Sequence, residues 1–298
     1  MSGEADARDP DPGGEPGPAE RSAEREELRL LALDVASEAA ELAARRRAEG
    51  VRIAATKSSL TDVVTEADRE VEALVRGRLA RERPRDGFLG EESGSLAGSS
   101  GLSWIVDPID GTVNYLYGLP HCAVSVAVAA GRVDAEADPV EHEALAGAVV
   151  NIMTGEAFSA ARGGGARCGE RRLAVSRTAE LSRALVATGY PYGPELRRQQ
   201  ARTWAAFAGE VRDLRRMGAA ALDLCAVADG RVDLYFERDI KPWDHAAGAL
   251  VAREAGALVK GLGERREGRD MVLAGAAPLV EAFEPVLRAA LRRADALG

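Results

Sequence analysis

The chain has 298 residues, a formal net charge of −9 and 46% hydrophobic residues. This length and apolar content suffice for one large domain or two fused ones with a sizeable core. No apolar run approaches the ~20 residues needed to cross a bilayer, and the N-terminus lacks the basic-then-apolar pattern of a secretory leader. We therefore expect a cytoplasmic protein that is not held in a membrane.

The acidic charge is concentrated at the N-terminus, where residues 1–20 hold six acids and one base and so contribute −5 of the −9. The rest of the chain is only mildly acidic, which argues against a nucleic-acid-binding surface with its usual basic surplus. Residues 1–21 are rich in Gly, Pro and acids and offer no apolar anchor, so we predict a disordered tail. The three cysteines are far apart in sequence, which favours buried, reduced thiols.

The hydrophobic pattern predicts a mixture of helices and strands along the chain. The predicted helices are one from the cap Ser22 to Gly50 and others at 62–81, 195–209, 218–229 and 244–254. The predicted strands are at 86–91, 104–106, 123–130, 145–152 and 232–236, with an acidic insertion at 134–143. Strict βαβ alternation is missing, which favours a layered α+β architecture. We expect an N-terminal part at 22–180 that carries most acidic site residues and a C-terminal part at 181–298.

Several common catalytic motifs are missing from the sequence. It has no GxxxxGK[ST] phosphate loop, no GxSxG elbow and no HExxH, and it contains three histidines in all. These absences argue against P-loop, serine-hydrolase and zinc-hydrolase chemistry. The glycines at 163–165 lack dinucleotide-binding spacing and predict a turn.

The strongest chemical pattern is Asp-Pro-Ile-Asp-Gly-Thr at 107–112, directly after the apolar strand at 104–106. Because proline cannot continue a hydrogen-bonded ladder, we expect the chain to turn there and both Asp107 and Asp110 to face one point. Gly111 and Thr112 would then open a helix-like segment whose free N–H groups can hold an anion. Carboxylates for a hard cation beside N–H groups for a phosphate suit metal-assisted phosphoryl transfer. The competing interpretation is a pair of capping acids.

Other acids give weaker indications. Glu91 and Glu92 end another apolar stretch, so they are either metal ligands or part of a solvated loop. Asp68 follows Asp62 by six residues, and this spacing does not decide which of them caps a helix. Asp244 precedes a helix of small residues, so a helix cap and a metal ligand are both open for it.

Taken together, these residues resemble the inositol monophosphatase family over about residues 25–290. Two motifs are highly specific, namely residues 104–115 (WIVDPIDGTVNY) and 243–248 (WDHAAG), the second continuing to 254–257 (EAGA). Supporting blocks in matching order are 57–59 (KSS) with 62–68 (DVVTEAD), 90–93 (GEES), 218–223 (GAAALD) and 235–237 (YFE).

The resemblance implies the layered αβαβα sandwich of carbohydrate phosphatases, usually dimeric, with two or three Mg²⁺ ions. It implies that Glu91, Asp107 and the Ile109 carbonyl hold one ion. Asp107, Asp110 and Asp244 would hold a second, and Asp68 with Glu91 a third. It also implies sensitivity to lithium.

The resemblance further implies the roles of groups around the substrate. Thr112, hydrogen-bonded to Asp68, would orient the attacking water, so Asp68, Thr112 and Glu91 are the expected catalytic residues. The N–H groups of Gly111 and Thr112 would bind the phosphate. The groups expected to touch the leaving alcohol are Asp110, the backbone at Ala220 and Glu237. The expected activity is hydrolysis of inositol 1-phosphate to inositol and phosphate.

Three positions depart from the family pattern without removing a metal ligand. Ala219 stands where many relatives carry Ser or Thr, His245 where a small or β-branched residue is commoner, and Asp239 where Gly is frequent. These departures leave the substrate open. Close relatives act on fructose 1,6-bisphosphate, histidinol phosphate, 3′-phosphoadenosine 5′-phosphate or NADP. A non-catalytic interaction module bound to the transcription or translation machinery is the alternative from another class.

Overall fold

The structure is a computed structural model that describes residues 17–51, 53–56 and 63–296. The predicted block at 57–59, Asp62 and most of the predicted disordered tail lie outside the described residues. Seven helices are found within the described part of the chain: α1 Pro18–Glu49, α2 Glu66–Glu82, α3 Thr112–Tyr117, α4 Pro194–Phe207, α5 Ala220–Ala228, α6 Pro242–Glu254 and α7 Ala277–Ala296. None of these helices combines the length and apolarity that a membrane span requires.

The strands form one short pair and two larger sheets. The short pair is β1 Ile53–Thr56 with β2 Val63–Thr65. The strands of the first large sheet, sheet 1, are β3 Gly87–Gly90, β4 Gly94–Leu96, β5 Leu102–Asp110, β6 Ala123–Ala130, β7 Glu143–Asn151, β8 Ala157–Ala161, β9 Gly165–Cys168 and β10 Arg171–Arg172. Those of the second, sheet 2, are β11 Leu185–Thr188, β12 Asp213–Arg215, β13 Leu234–Glu237, β14 Leu258–Lys260 and β15 Val272–Gly275.

Both sheets are mixed. Sheet 1 has the order β10-β9-β8-β7-β6-β5-β3-β4 and is antiparallel except where β3 runs parallel to β5. Sheet 2 has the order β12-β11-β13-β15-β14, with β11 parallel to both β12 and β13. The remaining pairings in sheet 2 are antiparallel.

Helices and sheets stack in five layers. Helices α1 and α2 cover the outer face of sheet 1, while α5 and α6 lie between the two sheets, and α4 with α7 covers the outer face of sheet 2. Each interface buries its own apolar cluster, with Trp104 and Tyr115 in the first and Phe207, Phe236 and Phe283 in the last. This αβαβα sandwich confirms the predicted fold class. The division into parts at 22–180 and 181–298 stays a prediction.

Three sequence predictions about local structure were wrong. Helix α1 begins at Pro18 rather than after Ser22, because proline suits the first helical position and the N–H of Gly17 is bound by Glu20 Oε2 at 2.6 Å. The predicted helix at 62–81 is β2 followed by α2, which begins only after Thr65. The chain does not leave the sheet at Pro108, because β5 continues to Asp110 through a bulge. Helix α7 was not predicted, although its buried Leu279, Phe283 and Leu287 recur at helical spacing.

The two central helices, α5 and α6, approach each other closely because their facing residues are small. A Cβ atom added to Gly248 of α6 would lie 2.9 Å from both the Ala221 carbonyl oxygen and the Leu224 Cβ of α5. Both are backbone or near-backbone atoms, which cannot rotate away. Helix α5 begins at the candidate site and α6 carries Asp244, so this contact sets the distance between two parts of the site.

We expect Gly248→Ala to destabilise the protein by about 1–3 kcal/mol, because overpacking of the α5–α6 contact outweighs the better helix propensity of alanine. The matched control is Gly77→Ala in α2, where an added Cβ meets no atom within 4 Å. That change should stabilise the protein by about 0.5–1 kcal/mol. Urea unfolding of both variants measures the two effects, and equal shifts would contradict the close-packing argument.

Candidate metal-assisted active site

Three carboxylates converge between the two sheets. Asp107, Asp110 and Asp244 each offer an oxygen within 4.8 Å of the others. Asp107 and Asp110 are buried, and Asp244 is partly exposed. The sequence predicted that these three acids come together, although they lie up to 137 positions apart in the chain (244 − 107).

A β-bulge brings Asp107 and Asp110 to the same side of β5. Asp107 pairs with Ser125 of β6 and Asp110 pairs with Ala123, so two residues of β5 face one residue of β6. In a regular strand, residues three apart point to opposite faces, and one inserted residue restores them to the same face. Asp107 Oδ1 accepts a hydrogen bond from the N–H of Ile109 at 3.0 Å, which stabilises the bulge.

Asp110 is anchored at the start of α5. Its Oδ1 accepts from the N–H of Ala220 at 3.2 Å and its Oδ2 from the N–H of Ala221 at 2.8 Å. These N–H groups have no partner inside the helix, and the helix N-terminus favours a negative charge. The backbone at Ala220, which was expected to touch the leaving alcohol, donates its N–H to Asp110; the contact with the alcohol stays a prediction.

Asp244 lies in the first turn of α6. Its Oδ2 accepts from the N–H of Lys241 at 2.5 Å, so the carboxylate caps the helix and also faces Asp107 and Asp110. The cap and the ligand interpretations of Asp244 are therefore compatible. An asparagine at this position would keep an oxygen for the Lys241 N–H.

Asp68 and Thr112 meet beside this cluster. The Thr65 N–H donates to Asp68 Oδ2 at 2.8 Å and the Thr65 hydroxyl donates to the same oxygen, in a capping box that begins α2. The Thr112 hydroxyl lies 3.3 Å from Asp68 Oδ1 and 3.0 Å from the Ile109 carbonyl oxygen. The Asp68–Thr112 contact that the resemblance implied is therefore present, as a long hydrogen bond.

Glu91 is held near Asp107 by a residue that the sequence analysis missed. Glu72 of α2 is buried, and its carboxylate accepts the N–H groups of Glu92 and Ser93, both at 2.8 Å. The Glu91 N–H donates to the Val106 carbonyl at 3.2 Å. Glu72 is thus a positioning residue for the Glu91 loop. A buried acid at an otherwise apolar helical spacing, three residues before Val75, is the signal that could have found it.

The expected phosphate-binding turn has a conformation that requires glycine. Gly111 has φ of +83°, and a Cβ there would lie 2.9 Å from the His121 carbonyl oxygen. Asn114 fixes the following helix, because its Nδ2 donates to the carbonyls of His121 and Met217 at 2.7 and 2.8 Å. Asn114 stands within the recognised motif, but its role as a link between α3 and the chain before α5 was not predicted.

A cavity of roughly 360 Å³ opens above the carboxylates. The acids Glu91, Asp110 and Asp244 line it together with four basic residues, which we call the rim cations, namely Arg216, Arg238, Lys241 and Arg269. The remaining lining residues are Gly111, Gly189, Tyr190, Pro191, Tyr192, Gly193, Gly218, Ala219, Ala220, Glu237, Asp239, Ile240 and Trp243.

Glu237 is buried in the wall of this cavity, and its Oε2 accepts a hydrogen bond from the Tyr235 hydroxyl at 2.7 Å. Burial raises the pKa of Glu237 to about 8, while the hydrogen bond from Tyr235 acts in the opposite direction. Tyr235 is a second residue that sequence reasoning did not assign to the site.

Asp68, Asp107 and Asp110 also have raised pKa values in the protein alone. Burial raises the pKa of Asp68 to about 7. Burial, followed by repulsion from Glu91, raises the pKa of Asp107 well above its usual range, and burial with repulsion from Asp244 does so for Asp110. A cation among these oxygens would favour their ionised forms. Hard oxygen donors without nitrogen or sulfur suit Mg²⁺, so the donor set fits this ion.

Comparison with known proteins places this arrangement in a family. The model of the inositol monophosphatase family matches residues 24–293. The inositol-1-monophosphatase SuhB of Mycobacterium tuberculosis is 42% identical over 288 residues, covering 91% of this chain and 95% of that protein. A Haemophilus influenzae protein named Nus factor SuhB is 38% identical over 231 residues, covering 77% and 83%. The crystal structure of the extragenic suppressor protein suhB from Bartonella henselae superimposes with a TM-score of 0.80 at 32% identity, covering 88% and 98%.

The chain is therefore a phosphoric monoester hydrolase with the layered sandwich fold. The chain belongs to the inositol monophosphatase family. The resemblance inferred from the motifs is confirmed.

The pKa values predict how the stability of the metal-free protein depends on pH. Asp68 and Glu237 have folded pKa values of about 7 and about 8, above the ~3.9 and ~4.3 of an unfolded chain. The folded state then holds more protons than the unfolded state, so these groups lower stability as pH rises through their folded pKa values. Burial lowers the pKa of His142 and His245 to about 4, so these groups make stability rise with pH up to the unfolded pKa of ~6.5. Above that pH the histidines no longer oppose the fall in stability.

We therefore expect the melting temperature in EDTA to fall between about pH 6.5 and 8, with a smaller slope for Asp68→Asn. Added Mg²⁺ should raise the melting temperature more at pH 8 than at pH 6.5, because it binds ionised carboxylates. Differential scanning calorimetry measures both effects. A metal-free melting temperature that is flat or rising across this range would contradict the assignment of protonated buried acids.

Proposed function

We propose that the chain is a Mg²⁺-dependent phosphomonoesterase that hydrolyses inositol monophosphate to inositol and phosphate. The observation that carries the proposal is the convergence of Asp107, Asp110 and Asp244, of which Asp110 and Asp244 line the cavity together with Gly111. Names of relatives as inositol-1-monophosphatases support the substrate.

The residues present divide the work of ester hydrolysis among them. Asp107, Asp110 and Asp244, with Glu91, Asp68 and the Ile109 carbonyl, would hold two or three Mg²⁺ ions. Bound Mg²⁺ supplies Lewis-acid chemistry, by neutralising the phosphate and favouring ionisation of water. The N–H groups of Gly111 and Thr112 bind phosphate oxygens.

The proton steps fall to Thr112 and Asp68. The Thr112 hydroxyl, which lies 3.0 Å from the Ile109 carbonyl oxygen and 3.3 Å from Asp68 Oδ1, would accept a hydrogen bond from the attacking water and donate its own proton to Asp68. Water adds to phosphorus and passes one proton through Thr112 to Asp68, while the ester P–O bond breaks and the leaving oxygen of inositol takes a proton from solvent water. Glu237 accepts hydrogen bonds from neighbouring hydroxyls, in the ionised form that nearby cations favour.

An interaction role is the second candidate, because one relative is named a Nus factor. The intact cluster of acids favours the enzyme. A pure binding surface has no need for three carboxylates held against their mutual repulsion. Phosphate release by the pure protein separates the two candidates.

We also propose that the protein is cytoplasmic and, as the resemblance implies, that it is a homodimer. Tyr117, Leu119 and Met153 are exposed apolar residues, and the Asn151 side chain ties their two loops together by donating to the Pro120 carbonyl at 3.0 Å. Such a patch is typical of an interface. A monomeric mass by light scattering at micromolar concentration would contradict the dimer.

Asp244→Asn should reduce Mg²⁺-dependent release of phosphate from inositol 1-phosphate by about 100-fold or more, because it removes a negative charge from the cation site. The circular dichroism spectrum should be unchanged, since the asparagine oxygen can still accept the Lys241 N–H. Asp213→Asn on exposed β12 is the matched control and should keep full activity. Normal turnover by Asp244→Asn at saturating Mg²⁺ would leave Asp244 as a helix cap alone.

LiCl should inhibit the unsubstituted enzyme at concentrations at which NaCl does not. Phosphate release from inositol 1-phosphate in the two salts measures this, and equal effects would contradict the prediction.

Glu237→Gln should lower kcat/KM for inositol 1-phosphate by about 1–3 kcal/mol of transition-state binding, because a charged hydrogen bond is lost. The kcat/KM for p-nitrophenyl phosphate, which has no neighbouring hydroxyls, should fall much less. Glu195→Gln on exposed α4 serves as the control. Equal losses on both substrates would mean that Glu237 acts through the metals or the fold.

A further inference from the structure

The rim of the cavity is positively charged, and part of this charge is neutralised by the protein itself. Lys241 Nζ lies 2.5 Å from Glu136 Oε1, and Arg269 Nη1 lies 3.0 Å from Glu136 Oε2. Both cations line the cavity. Glu136 belongs to the acidic insertion between β6 and β7, far from either cation in sequence, so its carboxylate bridges two rim cations that different segments supply.

A second acid acts on the same rim. Asp239 Oδ1 accepts from Arg269 Nε at 2.7 Å, and the Asp239 N–H donates to the Arg269 carbonyl at 2.7 Å. Asp239 has φ of +64°, a conformation that favours glycine and that Asp tolerates better than most residues. This explains why glycine would fit here, and the aspartate adds a carboxylate that engages Arg269.

The insertion is fastened to the segment that carries Arg269. Asp138 accepts from Arg265 Nη2 at 3.0 Å and from the Asp270 N–H at 3.2 Å, and the Val140 N–H donates to the Glu267 carbonyl at 3.0 Å. A Cβ on Gly268 would lie 2.3 Å from Asp138 Oδ1, so the two segments touch. These contacts on both sides of Arg269 hold Glu136 at the rim.

The Glu136 contacts have little value for stability, because the Glu136 side chain is 65% exposed and such ion pairs contribute little. Their effect is to weaken the positive electrostatic potential around Lys241 and Arg269, which line the cavity. A second anionic group of a substrate that pairs with Lys241 or Arg269 would compete with Glu136 for that cation. A substrate with neutral hydroxyls beyond its one phosphate would not.

On the basis of the proposed function, we propose that Glu136 is a specificity-determining residue, which neutralises Lys241 and Arg269 and so makes the cavity prefer phosphates of neutral polyols over substrates with a second anionic group. Glu136 acts through the two rim cations and not on the reacting atoms. It therefore changes the relative kcat/KM values of different substrates and leaves the chemistry of ester hydrolysis unchanged.

The test compares kcat/KM for fructose 1,6-bisphosphate and inositol 1-phosphate in the full chain with Mg²⁺. Glu136→Gln should raise the ratio of the kcat/KM value for the bisphosphate to that for the monophosphate by roughly 3- to 10-fold, mainly by lowering KM for the bisphosphate. The gain should shrink in 1 M salt, where the Debye length is about 3 Å. It should also shrink when Lys241→Met is added, because one of the two cations that Glu136 neutralises is then removed.

Glu141→Gln is the matched control, since Glu141 lies on the same insertion and pairs with the exposed Arg132 at 3.7 Å. It should leave the ratio unchanged. An unchanged ratio in Glu136→Gln, with normal activity of the unsubstituted enzyme on inositol 1-phosphate, overturns this inference alone. An unsubstituted enzyme that hydrolyses neither substrate overturns the proposed function and this inference with it.

Discussion

The site depends on a single extra residue in a β-strand. Without the bulge in β5, Asp107 and Asp110 would point to opposite faces of sheet 1, one toward α5 and α6 and the other toward α1 and α2. Two residues of β5 against one of β6 turn both carboxylates to the same side. Pro108 falls inside the bulge, where the missing N–H leaves no broken ladder bond. The geometry of the carboxylate cluster thus follows from a local irregularity that the proline makes favourable.

Bringing these acids together raises the free energy of the folded state, because the carboxylates are buried and repel one another. Hydrogen bonds from backbone N–H groups offset part of this. Asp107 accepts from Ile109, Asp110 from the first turn of α5, and Asp244 from the residue before α6. Charge-assisted hydrogen bonds of this kind are stronger than neutral ones. They are incomplete compensation, because burial and mutual repulsion still raise the pKa of Asp107 and Asp110. The remaining negative charge is what a cation would neutralise, so stability and cation binding are linked.

The sequence was most informative where chemistry and local geometry lie in one segment. Residues 107–112 and Asp244 could be assigned from their motifs, and the structure brings their carboxylates together. The apolar spacing of α2 could have marked Glu72 as a buried acid, but the sequence did not identify its partners, because these are backbone N–H groups 20 and 21 residues away. The path of the chain at Pro108 was wrong for a similar reason, since proline excludes a ladder bond but not a bulge. The roles of individual residues in catalysis stay predictions.

The lining of the cavity carries both carboxylates and basic side chains. The carboxylates that line it would attract cations, while the arginines and the lysine of the lining would attract an anionic substrate. With all four rim cations free, any polyanion would be drawn to the mouth, whatever its shape. Glu136 and Asp239 pair with two of them, so the attraction that remains is weaker and more selective. Under the proposed function, discrimination between hydroxyl patterns is then left to hydrogen-bonding groups in the cavity wall such as Glu237, because net charge does not distinguish such patterns.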